Sequence, residues 1–213
     1  MKIVIDHNAK KSKTDFSWQY GMGNDHAATL LRSDVKEHIK YIHEELGIKY
    51  IRFHGIFDDN MLVYTVLGDN KYFSGLPGNQ RLGEFNFHEV GIVYDNVLEA
   101  GFKPFVELSF MPSRLAKGKK IGFKNARYNN NVCLPKDFST WERMIQAFVT
   151  FLIERYGKDE VESWPFEVWN EPDLGGFFHG NHGFVQILLA TGMQLFDSLV
   201  SLLLQLIGLC HHR

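Results

Sequence analysis

Three times along this chain an amphipathic helical pattern runs into a glycine and then into a short apolar segment. The first runs from Ser33 through Val35, Ile39, Ile42 and Leu46 to Gly47, and feeds Ile48 to His54. The second runs from about Phe87 through Val90, Val93, Val97 and Leu98 to Gly101, and feeds Lys103 to Phe110. The third opens on Ser139-Thr140-Trp141-Glu142, a capping-box pattern, continues through Ile145, Phe148, Leu152 and Tyr156 to Gly157, and feeds Trp164 to Asn170. Glycine just past a helix suits the left-handed residue that ends many helices. With Ser33 as the expected N-cap of the first helix and a further strand expected near Trp18 to Met22, the pattern predicts four strands separated by helices.

The glycines fall 54 and 56 residues apart, too far for a stacked solenoid repeat, so the units read as βα pairs with inserted loops. Mostly apolar strands such as Phe105-Val106-Glu107-Leu108 suit a parallel sheet covered by helices. The fold class is therefore α/β, either a (β/α)8 barrel or an open doubly wound sheet. No G-x-G-x-x-G follows the first strand and no Walker loop occurs, which favours the barrel, cut to roughly its first four βα units. The 213 residues suffice for one sizeable domain or two small ones.

A net charge of −2 gives no reason to expect nucleic acid or an anionic membrane as a partner. Cys133 and Cys210 form no disulfide or zinc spacing, and the first residues carry no signal-peptide pattern, so the expected location is cytoplasmic. Two long connections, Ile56 to Asn86 and Met111 to Asp137, leave the carboxyl ends of the second and third strands, the working rim of a barrel. Loops of that length are usually functional, although decoration is the plainer alternative. Beyond Lys158 no lysine or arginine appears until Arg213, and from Phe184 to Leu209 the only charge is Asp197. This stretch reads in three ways: a buried amphipathic helix, a tail anchor weakened by its glutamines and serines, or a continuation foreign to the domain, as after a frameshift.

The eight residues from Pro165 to Pro172 carry most of the chemical signal. An alternating strand stops at proline and leaves Glu171, preceded by Asn170, at its carboxyl end. A carboxyl group placed there suits protonation of a glycosidic oxygen if partial desolvation keeps it protonated near neutral pH. Phe166, Trp169, Phe177 and Phe178 are the expected apolar surroundings. The plainer reading has Glu171 capping the next turn or pairing with a cation. Strand alternation puts Asn170 on the opposite face unless the strand end twists. His179 and His182, with Asp173, have a spacing that metal sites use, but solvated loop histidines are the expectation, as for Cys210-His211-His212.

From about residue 17 to 180 the chain resembles glycoside hydrolase family 39, the β-xylosidase group. The matching pieces stand in order: Lys49-Tyr50-Ile51-Arg52-Phe53-His54-Gly55-Ile56-Phe57-Asp58-Asp59, then Lys103-Pro104-Phe105-Val106-Glu107-Leu108-Ser109-Phe110-Met111-Pro112, then Leu134-Pro135-Lys136-Asp137-Phe138, and last Trp164 through Leu174. The resemblance implies a (β/α)8 barrel that hydrolyses β-xylosides with retention, using two glutamates and neither a metal nor an organic cofactor. It implies Glu171 as general acid/base, Asn170 as the partner of the sugar 2-hydroxyl, and His54 and Phe177 as further substrate contacts. His54 bonding a loop carbonyl is its plainer role. Glu107 is expected to support Arg52 rather than to act in catalysis.

In the family the nucleophile glutamate ends the seventh strand, so none is expected within these residues. The implied division is a barrel part over residues 1–183 and the apolar tail over 184–213. The expected function is that of a partial β-xylosidase-type hydrolase, inactive alone, with a xylo-oligosaccharide or another β-glycoside as substrate. The alternative is a non-catalytic sugar-binding or interaction protein that associates with another chain. An open half-barrel exposes strand edges, so self-association is expected as well.

Overall fold

In a computed structural model of the chain, the described residues are 13, 15–64, 85–122 and 130–180. The strands are β1 (Gly21–His26), β2 (Tyr50–His54), β3 (Lys103–Glu107) and β4 (Phe166–Glu167). The helices are α1 (Ser33–Leu46), α2 (His88–Glu99), α3 (Phe138–Tyr156) and the short α4 (Lys158–Glu162). All strand pairs are parallel and lie in chain order, β1-β2-β3-β4. Each step across the sheet is thus a βα crossover, as the helix–glycine–strand rhythm requires. The 184–213 tail, and with it the proposed domain boundary, lies outside the described residues.

Each helix has a local reason to start or stop. Gly47 ends α1 with φ +66 and donates its amide to the His43 carbonyl at 2.8 Å, the left-handed stop expected of it. The start of α1 differs from expectation. Ser33 is already helical, Arg32 is the N-cap residue without a side-chain cap bond of its own, and the Asp34 carboxylate accepts from the Val35 amide at 3.0 Å. At α3 the expected Ser139–Glu142 capping box gives way to Asp137, whose carboxylate accepts from the amides of Ser139 and Thr140. An ionised carboxylate that reaches two amides outcompetes a serine hydroxyl. The Thr140 and Ser139 side-chain hydrogen bonds hold Asp137 below the usual carboxylate range.

The strands are shorter than the apolar runs suggest. Trp18 sits in a 3-10 turn, and β1 starts only at Gly21. The expected Trp164–Asn170 strand shrinks to Phe166–Glu167. Trp164 instead packs under α4 and donates its indole N–H to Glu160, while the Trp169 indole donates to the Phe177 carbonyl at 2.7 Å.

One face of the sheet is covered by the helices. Ile51 and Phe53 of β2 and Val106 of β3 are buried with Val90, Val93, Tyr94 and Val97 of α2 and Met144, Phe148 and Leu152 of α3. Burying each such side chain is worth roughly 1.5–3 kcal/mol, so this layer carries the stability. The other face, the lumen side of a barrel, presents the alternate residues: Tyr50, Arg52 and His54 of β2, Phe105 and Glu107 of β3, and Glu167 of β4. Register aligns Gly23 with Arg52 and Phe105, and Glu107 with Glu167. Exposed Trp18 and Tyr20 flank that face at the amino ends of the strands, around a cavity of about 330 Å³ lined by Gly21, Gly23, Tyr50, Arg52 and Phe105 among others.

Candidate active site

The polar residues of the lumen face converge on Arg52. Its Nε donates to Glu167 Oε2 at 2.7 Å, and its Nη2 lies 2.8 Å from both Glu107 Oε2 and Asn170 Oδ1. The guanidinium therefore ties β2 to β3, to β4 and to the segment beyond β4, a geometry that a planar five-donor fork allows and a point charge does not. Burial alone would lower its pKa, but Glu167, Glu107 and the charge of Glu171 together raise it. Glu171 is thus within electrostatic reach of this cluster. The 330 Å³ cavity shares only Arg52 with it and opens toward the amino ends of the strands. The convergent chemistry sits at the carboxyl ends, where parallel α/β sheets place their sites.

Glu107 is the buried anchor. Its side chain is fully enclosed: His54 Nδ1 hydrogen-bonds Oε2, the Ser109 hydroxyl donates to Oε1, and the Arg52 guanidinium forms an ion pair with Oε2 at 2.8 Å. The pairing of Glu107 with Arg52 expected from the sequence is present. His54 contacts this carboxylate through Nδ1 at 2.7 Å, in place of a loop carbonyl. The His54 ring lies 5.9 Å from Phe110 and 6.1 Å from Phe177, and those two phenyl rings are near-parallel, 9° apart at 6.3 Å. His54, Asn170 and Phe177 therefore line one site.

Asn170 reaches the lumen side although simple alternation puts it on the other face. β4 ends at Glu167, and the chain beyond it is free to turn. Asn170 is buried, and the next residue, Glu171, has φ +41, a left-handed backbone uncommon for a residue with a side chain. The Glu171 side chain is exposed and makes no hydrogen bond or ion pair with the described residues. The plainer roles of cap and cation partner are thus not what the described residues show. Nor is the half-dry enclosure expected from the sequence. Trp169 and Phe178 are buried against one another, and Phe177 packs on Phe110 and His54. The reason is geometric: among the described residues, four strands wall the site from one side.

Sequence reasoning missed Arg52 as the hub, and Glu167, Ser109 and Phe110 as parts of it. The available signal was positional: Arg52 and His54, and Glu107 and Ser109, stand two apart at strand ends and so share a face. His179, the other histidine of interest, is exposed and sits 3.1 Å from Lys120 Nζ. His182 lies outside the described residues. Among the described residues, no group of three or more His, Cys, Asp or Glu side chains could hold a metal ion, and no helix is long and apolar enough to cross a membrane.

The model of glycosyl hydrolases family 39 matches residues 1–195. The chain belongs to this family. It is 41% identical over 178 residues to a β-xylosidase of Caldicellulosiruptor saccharolyticus, covering 84% of this chain and 34% of the relative. It is 34% identical over 181 residues to a β-xylosidase of Geobacillus stearothermophilus, covering 84% and 33%. Among solved structures, a GH39 β-xylosidase from Caulobacter crescentus superposes with TM-score 0.69 at 31% identity, over 85% of this chain and 38% of that one. The GH39 enzyme of Xanthomonas axonopodis pv. citri also gives 0.69, at 29% identity. The family 39 chain thus spans about a third of the length of the curated relatives it matches. These structural neighbours are TIM-barrel enzymes, and the all-parallel four-stranded sheet is part of such a barrel. By family the protein is a glycoside hydrolase.

Proposed function

We propose that these residues form the acid/base half of a retaining β-xylosidase, with Glu171 protonating the departing glycosidic oxygen and later activating water. The observation that carries this reading is the Arg52-held Asn170 immediately before an uncommitted Glu171 at the carboxyl end of β4. A fixed carboxamide beside a proton-exchanging carboxyl group is what an oxocarbenium-like transition state uses at the sugar 2-hydroxyl. The β-xylosidase relatives favour a β-xyloside, such as a xylo-oligosaccharide, as substrate. His54 and Phe177 would take further contacts, one polar and one stacking.

Retaining hydrolysis needs a second carboxyl group about 5–5.5 Å from the first, across the sugar. The described carboxylates nearest Arg52 are already committed: Glu107 and Glu167 bond its guanidinium. The 213-residue polypeptide alone should therefore hydrolyse xylosides little or not at all. Exposed Phe16, Trp18 and Tyr20 beside the open lumen face favour self-association of such a polypeptide, which a sizing column checks.

The test uses a longer protein in which these residues are continued through a complete barrel. There Glu171→Gln should lower kcat roughly 10²–10⁴-fold on xylosides with poor leaving groups, and far less on those whose leaving group needs no proton. An equal loss on both classes, or no loss, removes Glu171 from the acid/base role.

A further inference from the structure

We propose that Glu107 is a positioning residue that sets the hydrogen-bonding polarity of the sugar site. It fixes the His54 proton on Nδ1, leaving Nε2 as an acceptor. Through Arg52 it turns Asn170 so that the amide presents its NH2 as a donor. The inference rests on the reading of this face as a glycoside site, which it deepens by specifying what the bound sugar must offer.

The argument begins at Glu107 Oε2. That oxygen lies 2.7 Å from His54 Nδ1 and 2.8 Å from Arg52 Nη2. The guanidinium is a cation with donors only, so a proton on Oε2 would face it directly, and the ion pair leaves Oε2 no room for a proton of its own. Oε1 already accepts from the Ser109 hydroxyl. The hydrogen shared between Glu107 and His54 therefore belongs to Nδ1. Which nitrogen of a neutral imidazole carries the proton is decided by the bond the other makes, so Nε2 keeps a lone pair. No described residue bonds Nε2, and the ring packs beside Phe110 and Phe177.

The same logic passes through Arg52 to Asn170. Its Oδ1 accepts from Arg52 Nη2 at 2.8 Å. A flipped amide would set its NH2 against a guanidinium that has only donors, so the carboxamide has one orientation. Asn170 Nδ2 then remains to donate. Arg52 is in turn fixed by two carboxylates, Glu107 on β3 and Glu167 on β4, of which only Glu107 also touches His54.

The site thus offers one acceptor at His54 and one donor at Asn170. A sugar hydroxyl facing His54 must donate, whereas the one facing Asn170 need only accept. A fluorine in place of the hydroxyl should be tolerated at the Asn170 position and rejected at the His54 position, because fluorine cannot donate.

The decisive measurement is the ¹⁵N signature of the His54 ring in this 213-residue chain, assigned by comparison with His54→Gln, under conditions where the ring is neutral. The expected result is a protonated, pyrrole-like Nδ1 and an unprotonated, pyridine-like Nε2. Glu107→Gln should shift the ratio of the two tautomers toward Nε2–H by roughly tenfold or more, the scale of one charge-assisted hydrogen bond, while a merely structural Glu107 would leave the ratio unchanged in any folded variant. An Nε2–H tautomer in the unaltered chain overturns the proposal, whether or not the Glu107→Gln protein folds. Failure of the glycosidase reading would show elsewhere: the stated tautomer together with an inert complete barrel would remove the reaction and leave the polarity of His54 and Asn170 as described.

Discussion

Asp58 should make the folded chain less stable as pH rises through neutrality, the reverse of an ordinary carboxylate. It follows β2 in the tight turn after Gly55, its side chain is 3% exposed, and neither carboxyl oxygen has a hydrogen-bond partner among the described residues. His26 Nε2 is 3.9 Å away, and the neighbouring acids Asp59 and Glu107 add like charge. Desolvation, first, and those acids, second, push its pKa up to about 8, against a smaller opposing influence of the Phe110 amide. In the unfolded chain an aspartate titrates near 3.9. Between those two values the folded state holds a proton that the unfolded state has lost, so unfolding becomes easier with each pH unit by about 1.4 kcal/mol. From pH 5 to pH 7.5 the loss is roughly 3 kcal/mol as an upper figure, and it levels off above the folded pKa. The carboxylates held low by partners, Asp34, Asp95, Asp137 and Glu160, act below this window and do not obscure it. Urea unfolding of the chain and of Asp58→Asn at pH 5 and 7.5 is the assay. The neutral amide should gain on the native residue by about 3 kcal/mol across the interval. Parallel pH dependences would refute the argument, because Asp58 would then be ionised in the fold.

Two further outcomes follow from the helix-side core. The Tyr94 hydroxyl is buried without a partner among the described residues, and burial drives its pKa well up; Tyr94→Phe should therefore be neutral or stabilising by about 1 kcal/mol in denaturant melts, with a clear loss of stability counting against it. Phe148 is fully buried against Phe57 at 5.1 Å and also meets Phe87 and Tyr94, so Phe148→Ala should cost about 3–5 kcal/mol by the same measurement.

How much of this was legible in the sequence depends on the range of the interaction. The three long helices, the stop at Gly47 and the order of βα units were visible because a 3.6-residue period and a glycine are local signals. β1 was placed too early because Gly21-Met22-Gly23-Asn24-Asp25-His26 has no apolar alternation, while the preceding aromatics do. The end of β4 was overrun because Trp164 and Trp169 looked like strand residues, yet both spend their indole N–H on partners outside the sheet. His54, Asn170 and Phe177 could be named one by one from the family resemblance. Their common hub could not, since Arg52 meets Glu167 and Asn170 only after 115 and 118 residues of intervening chain. Such a contact is fixed by strand register, not by any local pattern.

At the carboxyl end of this sheet, the partners of Glu107, Asp58, Glu167 and Glu171 separate their roles better than their burial does. Glu107 and Asp58 are both buried, but the first has His54, Ser109 and the Arg52 cation as partners and the second has no hydrogen-bond partner among the described residues. Burial without donors favours the protonated form, so Asp58 is mostly uncharged below its raised pKa of about 8. Glu107 and Glu167 are committed to Arg52, whose guanidinium lies 2.8 and 2.7 Å from their carboxylates. Glu171, like Asp58, has no hydrogen-bond partner among the described residues, but unlike Asp58 it is exposed. The proton exchange with a bound sugar proposed above requires a carboxyl group that is neither sealed off nor already paired, and of these four Glu171 meets both conditions.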